Sequence, residues 1–497
     1  MNTTLYRDKI YACWAGKCLA GAIGMPFEGV PYRPNLIPEN IVVQDVPNDD
    51  LEMQLIWLAA LKKHGVALDD ALMGQIWRDH IPAGCDEYSV AIRNLRHGVM
   101  PPVSGWLDNC FADGMGATIR SEIWALVFAG RPDAVANFAA LDAAVDHWGD
   151  GVWGEVFMAL MECHALAGND TEESIRFALS KLPECRLAEA AQYVLELHER
   201  SNSEVDAGTM IRAQLNHYNF TDCVMNLAYV CYALLWGGGD FLKSVLLAVN
   251  MGRDTDCTAA TVGAFLGACH GSAILPKELL AKLNDQLALS PYVQAVPNIP
   301  RTLTDTVRET IELHEKLLPL LPKTQYKLYE PYRSDGGEPA ICRQRWLVLD
   351  GAEHDIARIQ KALVETGRCP DELRAKVIET SQIQFDLSSF AHDANTLHLY
   401  SFLRVENPPD KTVISATADV GMTLWLDGDR LLNHHSRQLS IPSFHRPEGG
   451  CSFMYPFTNG ARHLAHVQLY NCLPPLRCSV MFADLANNHL DGFRFKI

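Results

Sequence analysis

Gly16-Lys-Cys-Leu-Ala-Gly-Ala-Ile-Gly-Met-Pro-Phe-Glu28 is the stretch from which the fold is read. Ala12, Gly16, Ala20 and Gly24 fall four residues apart, so on a helix they form one line of small side chains. Each glycine costs about 1 kcal/mol of helix stability relative to alanine, and a face that accepts this cost lets another backbone come close. Tight packing alone explains the line as well as function does. The addition that points to function is Glu28, where Pro26 breaks the helix and the chain emerges.

A second small-faced helix lies far along the chain. Gly252-Arg-Asp254-Thr-Asp256-Cys-Thr258 leads into Ala-Ala-Thr-Val-Gly-Ala-Phe-Leu-Gly-Ala, with Ala260, Ala264 and Ala268 four apart and Gly263, Gly267 and Gly271 likewise. It begins with a pair of acids. Another pair stands in Pro47-Asn48-Asp49-Asp50, just before an amphipathic run from Leu51. Adjacent acids at a helix start are commonly simple caps, favoured by the helix dipole. Two close-packed helices whose ends carry acids would bring four carboxylates together. Such crowding is costly without cations, and hard, oxygen-seeking divalent ions suit it.

The rest of the chain sets these motifs in a frame. From Leu5 to about Leu321 apolar residues recur at helical spacing, as in Leu51–Leu61, Gly154–His164 and Thr304–Leu318, with Gly65 as a helix stop. The turn-rich segment after Tyr326 reads as a connection. Beyond it come a short helix near Glu353–Thr366 and then strands: Thr396–Val405, Thr412–Thr417, Met422–Leu426, Val467–Cys472 and Cys478–Phe482. Asp427-Gly428 between two of the apolar runs signals a hairpin. The expected architecture is therefore multidomain: an all-α domain over residues 1–325, a linker over 326–345 and an all-β sandwich or jelly roll over 346–497.

Composition limits the partners. With 60 acids against 42 bases, the net charge of -18 disfavours nucleic acid and anionic membranes. No stretch reaches the roughly 18 apolar residues of a membrane span. The 15 cysteines are scattered, odd in number and form no CxxC pair, which suits reduced thiols in the cytoplasm. Homo-oligomerisation stays open.

Taken in order, the G-x7-G-x-P-x-E of Gly16–Glu28, the Asp49-Asp50 pair and the G-x-D-T-D of Gly252–Asp256 resemble the ADP-ribosylglycohydrolase family. Asp113-Gly-Met-Gly-Ala-Thr-Ile-Arg120 is similar to its glycine-rich substrate loop, and His147-Trp-Gly-Asp-Gly-Val-Trp-Gly-Glu155 to its histidine segment. The resemblance covers nearly all of residues 1–320 and none of the C-terminal third. It implies an all-α catalytic domain with a binuclear Mg2+ or Mn2+ site that cleaves a glycosidic bond of a ribosyl group. By position, Asn48, Asp49, Asp50, Asp254 and Asp256 would hold metal. Glu28 and Asp256 would be catalytic, and Gly114, Gly116 and His147 would lie at the substrate. ADP-ribosylated protein or nucleotide is the substrate the resemblance implies.

Three positions depart from the family pattern. Asn48 replaces a threonine but keeps a side-chain carbonyl. Cys257 stands where threonine is common, and a thiol is a soft partner for magnesium. Asp113 replaces an asparagine, so either the substrate lacks a full ADP-ribosyl group or Asp113 points away from it. A smaller ribosyl or nucleoside metabolite is the alternative substrate, and a non-catalytic binding or structural member is the alternative class. In the C-terminal domain, Trp425 and His434-His435 read as a sugar or metal site or as ordinary core and loop residues.

Overall fold

The structure is a computed structural model that describes residues 3–496, leaving aside 83, 85, 332–340, 342, 352–355, 392–394, 436–438, 440 and 445–450. An N-terminal helical domain is followed by a C-terminal antiparallel β domain. The expected runs Leu51–Leu61 and Gly154–His164 fall inside the helices Asp49–His64 and Asp150–Leu166, Thr304–Leu318 overruns the helix Leu303–Leu317 by one residue, and Gly65 ends the first helix with a φ of 59°.

The first helix, Thr3–Gly24, packs along the helix Thr255–His270 through their glycines. A Cβ at Gly16 would collide with the Gly263 carbonyl, one at Gly267 with the Ala12 carbonyl, and one at Gly24 with the Thr255 carbonyl. Residue numbers rise on one helix as they fall on the other, so the pair is antiparallel. That direction sets the end of the first helix, just before Glu28, against the start of the second, at Asp254 and Asp256. The contact line on the second helix is Gly263 and Gly267, while Ala260 lies to the side against Gly21. Buried Trp14, Trp57, Trp77 and Trp124 fill the surrounding core.

The β domain is a sandwich of two sheets that share one apolar core. The larger sheet has the order Lys376–Thr380, Gln344–Asp350, Thr396–Val405, Arg462–Tyr470, Gly421–Leu426, Asp429–His434, and Phe493–Lys496 pairs the far end of Thr396–Val405. The smaller runs Gln384–Asp386, Arg477–Ala483, Thr412–Ala418, Cys451–Tyr455. The Asp427-Gly428 hairpin is present, with φ of 53° and 94° at its two residues. The helix Ile356–Thr366 sits on the outer face of the larger sheet, where Ile359 and Leu363 meet Leu347, Leu349 and Tyr400. Trp425 stacks on buried His466 with ring centroids 4.6 Å apart, and His435 hydrogen-bonds to the Tyr470 hydroxyl at 3.0 Å. Both are thus tied into the sheet.

Compactness divides the chain into Met1–Ile81, Met100–Trp106 and Phe111–Arg333 on one side, and Pro82–Val99, Leu107–Cys110 and Ser334–Ile497 on the other. The helix Asp86–Arg96 therefore goes with the β unit. Ser89 meets His489 at 3.1 Å, Arg96 donates to Asn488 at 2.7 Å and His97 approaches Asp491 at 3.1 Å. Half of the expected linker lies outside the described residues, and the strand Gln344–Asp350 starts within its last two positions.

Candidate metal centre

The geometry of the acids follows from two local devices. At the exit of the first helix, Gly29 N–H donates to the Arg253 carbonyl and Arg253 N–H to the Val30 carbonyl, both at 2.8 Å. Thr255 Oγ1 adds a bond of 2.9 Å to the Gly24 carbonyl. Gly252, with a φ of 73°, is needed there because a Cβ would strike the Tyr32 carbonyl. These contacts hold carboxylate oxygens of Glu28, Asp254 and Asp256 within 4.8 Å of one another. At the second device Asn48 caps the helix Asp49–His64, its Oδ1 accepting from Asp50 N–H at 2.8 Å. The Asn48 oxygen is thus engaged in the cap. Asp50, Asp256 and the Cys257 sulfur form a second group within 4.8 Å. Asp256 belongs to both.

Burial makes the cluster costly as it stands. Both Asp50 oxygens, Asp254 Oδ2 and Asp256 Oδ1 are buried and, among the described residues, receive no N–H or O–H hydrogen bond. Burial, aided by Asp49 and Glu122 and opposed by Lys17 and Cys257, pushes the Asp50 carboxyl up to about 7. Asp254 is held well above the usual range by burial and then by Glu28, Asp50 and Asp49. Asp256 is raised by burial and then by Asp254 and Glu28. Behind Asp50, buried Lys17 bonds to Glu122 at 2.8 Å, and Gln54 ties the other Glu122 oxygen (2.7 Å) to the Asp50 carbonyl (2.8 Å). Buried carboxylate oxygens of this kind fit a divalent cation, with the Cys257 sulfur the one soft donor among them.

A sequence model of ADP-ribosylglycohydrolase matches residues 2–316. The chain belongs to the ADP-ribosylglycohydrolase family. It is 32% identical over 200 residues to an uncharacterized protein of Archaeoglobus fulgidus, across 39% of this chain and 60% of that one. It is 25% identical over 214 residues to an ADP-ribosylarginine hydrolase of Pseudomonas putida, across 42% of this chain and 52% of that one. The chain thus spans only about half to three-fifths of these relatives' lengths. Among solved structures, an ADP-ribosylglycohydrolase-related protein aligns at 18% identity and a TM-score of 0.45, over 63% of this chain and 99% of that one.

The other residues expected from this family lie elsewhere. Gly114 and Gly116 are buried; Gly114 bridges to Asp222, and the Gly116 carbonyl accepts from Arg120 at 2.8 Å. His147 has no exposed surface and its Nδ1 lies 3.0 Å from Asp146, which in turn pairs with Arg120. That places it in a buried charge network, outside both acid groups. Sequence reasoning missed Lys17, Glu122 and Gln54. The available signal was Lys17 itself, a cation inside an apolar, glycine-lined helix.

Cys257 is buried, 9% exposed, with its sulfur within 4.8 Å of carboxylate oxygens of Asp50 and Asp256. Cys257→Thr is therefore expected to tighten Mg2+ binding and narrow any preference for Mn2+, because a hydroxyl is the harder ligand. Affinities for the two ions, with a thermal melt, check this. A destabilised variant with unchanged metal preference would reverse the assignment.

Proposed function

We propose that the chain hydrolyses the bond between the anomeric carbon of an ADP-ribosyl or related ribosyl group and its N- or O-linked acceptor. Asp49, Asp50, Asp254 and Asp256 would hold a pair of Mg2+ or Mn2+ ions. The single observation that carries this is the sharing of Asp256 between two groups in which the Asp50 oxygens, Asp254 Oδ2 and Asp256 Oδ1 are buried and accept no N–H or O–H hydrogen bond among the described residues. Bound divalent ions would clamp the ribose hydroxyls and lower the pKa of water. Glu28 is exposed at the rim of the group, whereas Asp254 and Asp256 are buried, so it is the carboxylate placed to take a proton from attacking water.

The names of relatives make ADP-ribosyl-arginine the first substrate to try. Asp113 and Cys257 favour a smaller ribosyl metabolite; an ion pair with Arg186 at 3.2 Å offsets the charge of the first. Retention of the four acids and of Glu28 argues for catalysis over a structural role. Free thiols at the described cysteines suit a reducing cytoplasmic setting, and among the described residues no helix is long and apolar enough to cross a membrane. The test is hydrolysis of ADP-ribosyl-arginine, ADP-ribosyl-serine and simple nucleosides, with Mg2+, with Mn2+ and with chelator. Metal-dependent release of ADP-ribose is expected. Turnover of nucleosides alone would replace the substrate, and ADP-ribose binding without turnover would replace the enzyme with a binding protein.

A further inference from the structure

Asp113 opens the glycine-rich loop, and its carboxylate is not alone. Arg186, the first residue of the helix Arg186–Glu199, reaches three acids from three segments. Its Nη2 lies 3.2 Å from Asp113 and 3.4 Å from Asp222, and its Nε 2.9 Å from Asp150. Each acid also binds backbone or shares it with a neighbour. Asp222 Oδ1 caps the helix Cys223–Gly237 by accepting from Met225 N–H at 2.9 Å. Asp150 Oδ1 accepts from Leu187 N–H at 3.0 Å. Asp113 presents its carbonyl to Cys223 N–H at 2.8 Å, and Gly114 bridges to Asp222. One guanidinium therefore joins the loop to the starts of the helices Asp150–Leu166, Arg186–Glu199 and Cys223–Gly237.

The charges do not balance without it. Three carboxylates face one guanidinium, and His217 lies 3.6 Å from Asp222 alone of the three. Remove the guanidinium and Asp113, Asp150 and Asp222 repel one another across the loop. The loop runs on into the turn Thr118–Arg120, whose Ile119 carbonyl accepts from Gln54 at 3.2 Å, and Gln54 also binds the carbonyl of Asp50. A displaced loop is thus felt one hydrogen-bonded residue away from the metal-binding acids.

We infer that Arg186 is a positioning residue that latches the Asp113–Gly116 loop and masks the Asp113 charge, so that the loop accepts a diphosphate-bearing ligand. The latch itself follows from the contacts above; only the nature of the ligand rests on the proposed function. Asparagine at 113 would need no such mask, which makes Asp113 and Arg186 a pair to be tested together.

The full-length protein with Mn2+, and ADP-ribose as the probe, provide the test. Amide hydrogen exchange reads the latch at Gly114 and Cys223, and calorimetry reads the affinity. Arg186→Ala should speed exchange at both amides and weaken ADP-ribose by about tenfold, a modest figure because the guanidinium is half exposed. Asp113→Asn in that background should restore most of the affinity, and Arg186→Lys should fall between. Unchanged exchange in Arg186→Ala would overturn the latch. Weakened affinity that Asp113→Asn fails to restore would overturn the masking of Asp113. If Arg186→Ala does not fold, an Arg186→Lys variant with wild-type exchange and affinity would count against the latch in the same way. Wild-type protein that hydrolyses ADP-ribosyl-arginine but binds equally well in every variant would sink this inference alone. Wild-type protein with no affinity for ADP-ribose would sink the choice of ligand together with the proposed function, while the exchange data still decide the latch.

Discussion

Asp256→Asn is expected to abolish divalent-ion binding and hydrolysis while raising the thermal stability of the metal-free protein. Asp256 is the acid common to both groups, so its loss removes a ligand from each. Burial and the neighbouring acids hold its carboxyl well above the ordinary range. A carboxyl raised on folding contributes stability that is full below its unfolded value and is lost as pH rises through the folded value. At pH 7 to 8 the metal-free cluster thus weighs against the fold, and chelated wild-type protein should melt at a higher temperature when acidified towards pH 5. The amide carries no charge, so the variant should lack most of this dependence. Its gain at neutral pH should be small, because the new amide's own unmet bonds offset part of the relieved repulsion. With Mn2+ the order should invert, since the ion stabilises only protein that binds it. Calorimetric titration and melts with and without chelator measure both halves. Manganese affinity equal to wild type would remove the binuclear assignment.

The alternative to a cation is a cluster that neutralises itself with protons or with a buried base. Lys17 is the base at hand, and burial would lower its pKa, but Glu122 and Asp50 more than offset this and keep it charged. Its ammonium sits 2.8 Å from Glu122, so it serves the acid behind the site before it serves Asp50. Asp254 and Asp256 are raised chiefly by burial and by the neighbouring carboxylates, Glu28 foremost among those around Asp254 and Asp254 among those around Asp256. The group that best lowers this cost is a divalent ion.

How much of this could be read from the chain depended on whether the cause was local. The glycine lines on two distant helices, and the acids at their facing ends, are local patterns with one economical explanation, and the antiparallel pair realises it. The DG hairpin is equally local. The strand Gln344–Asp350 escaped notice because four consecutive residues, Trp346 to Leu349, are buried, which erases the alternation by which a strand is recognised. One face enters the sandwich core and the other lies under the helix Ile356–Thr366. The helix Asp86–Arg96 reads as part of the helical run, yet its polar partners Asn488, His489 and Asp491 come about 400 residues later. Arg186 carried no motif at all. Its meaning lies in three acids spread from residue 113 to residue 222, a convergence that only folding creates.

Glu28→Gln should lower kcat by roughly 10²–10⁴-fold, the range for loss of a general base, while leaving the fold intact. Glu28 is exposed, so the isosteric amide buries nothing new and the melting temperature should stay close to wild type. The substitution also removes one of the charges that crowd Asp254 and Asp256. Metal affinity should therefore fall only modestly, because the four aspartates remain. The decisive comparison is kcat at saturating Mn2+ across pH. A variant with wild-type kcat would exclude Glu28 as the base. A variant whose lost activity returns in full with excess Mn2+ would make Glu28 a metal ligand, and the proton acceptor would then have to be sought among the buried aspartates, where raised carboxyls are poorer bases at low pH but better ones near neutrality.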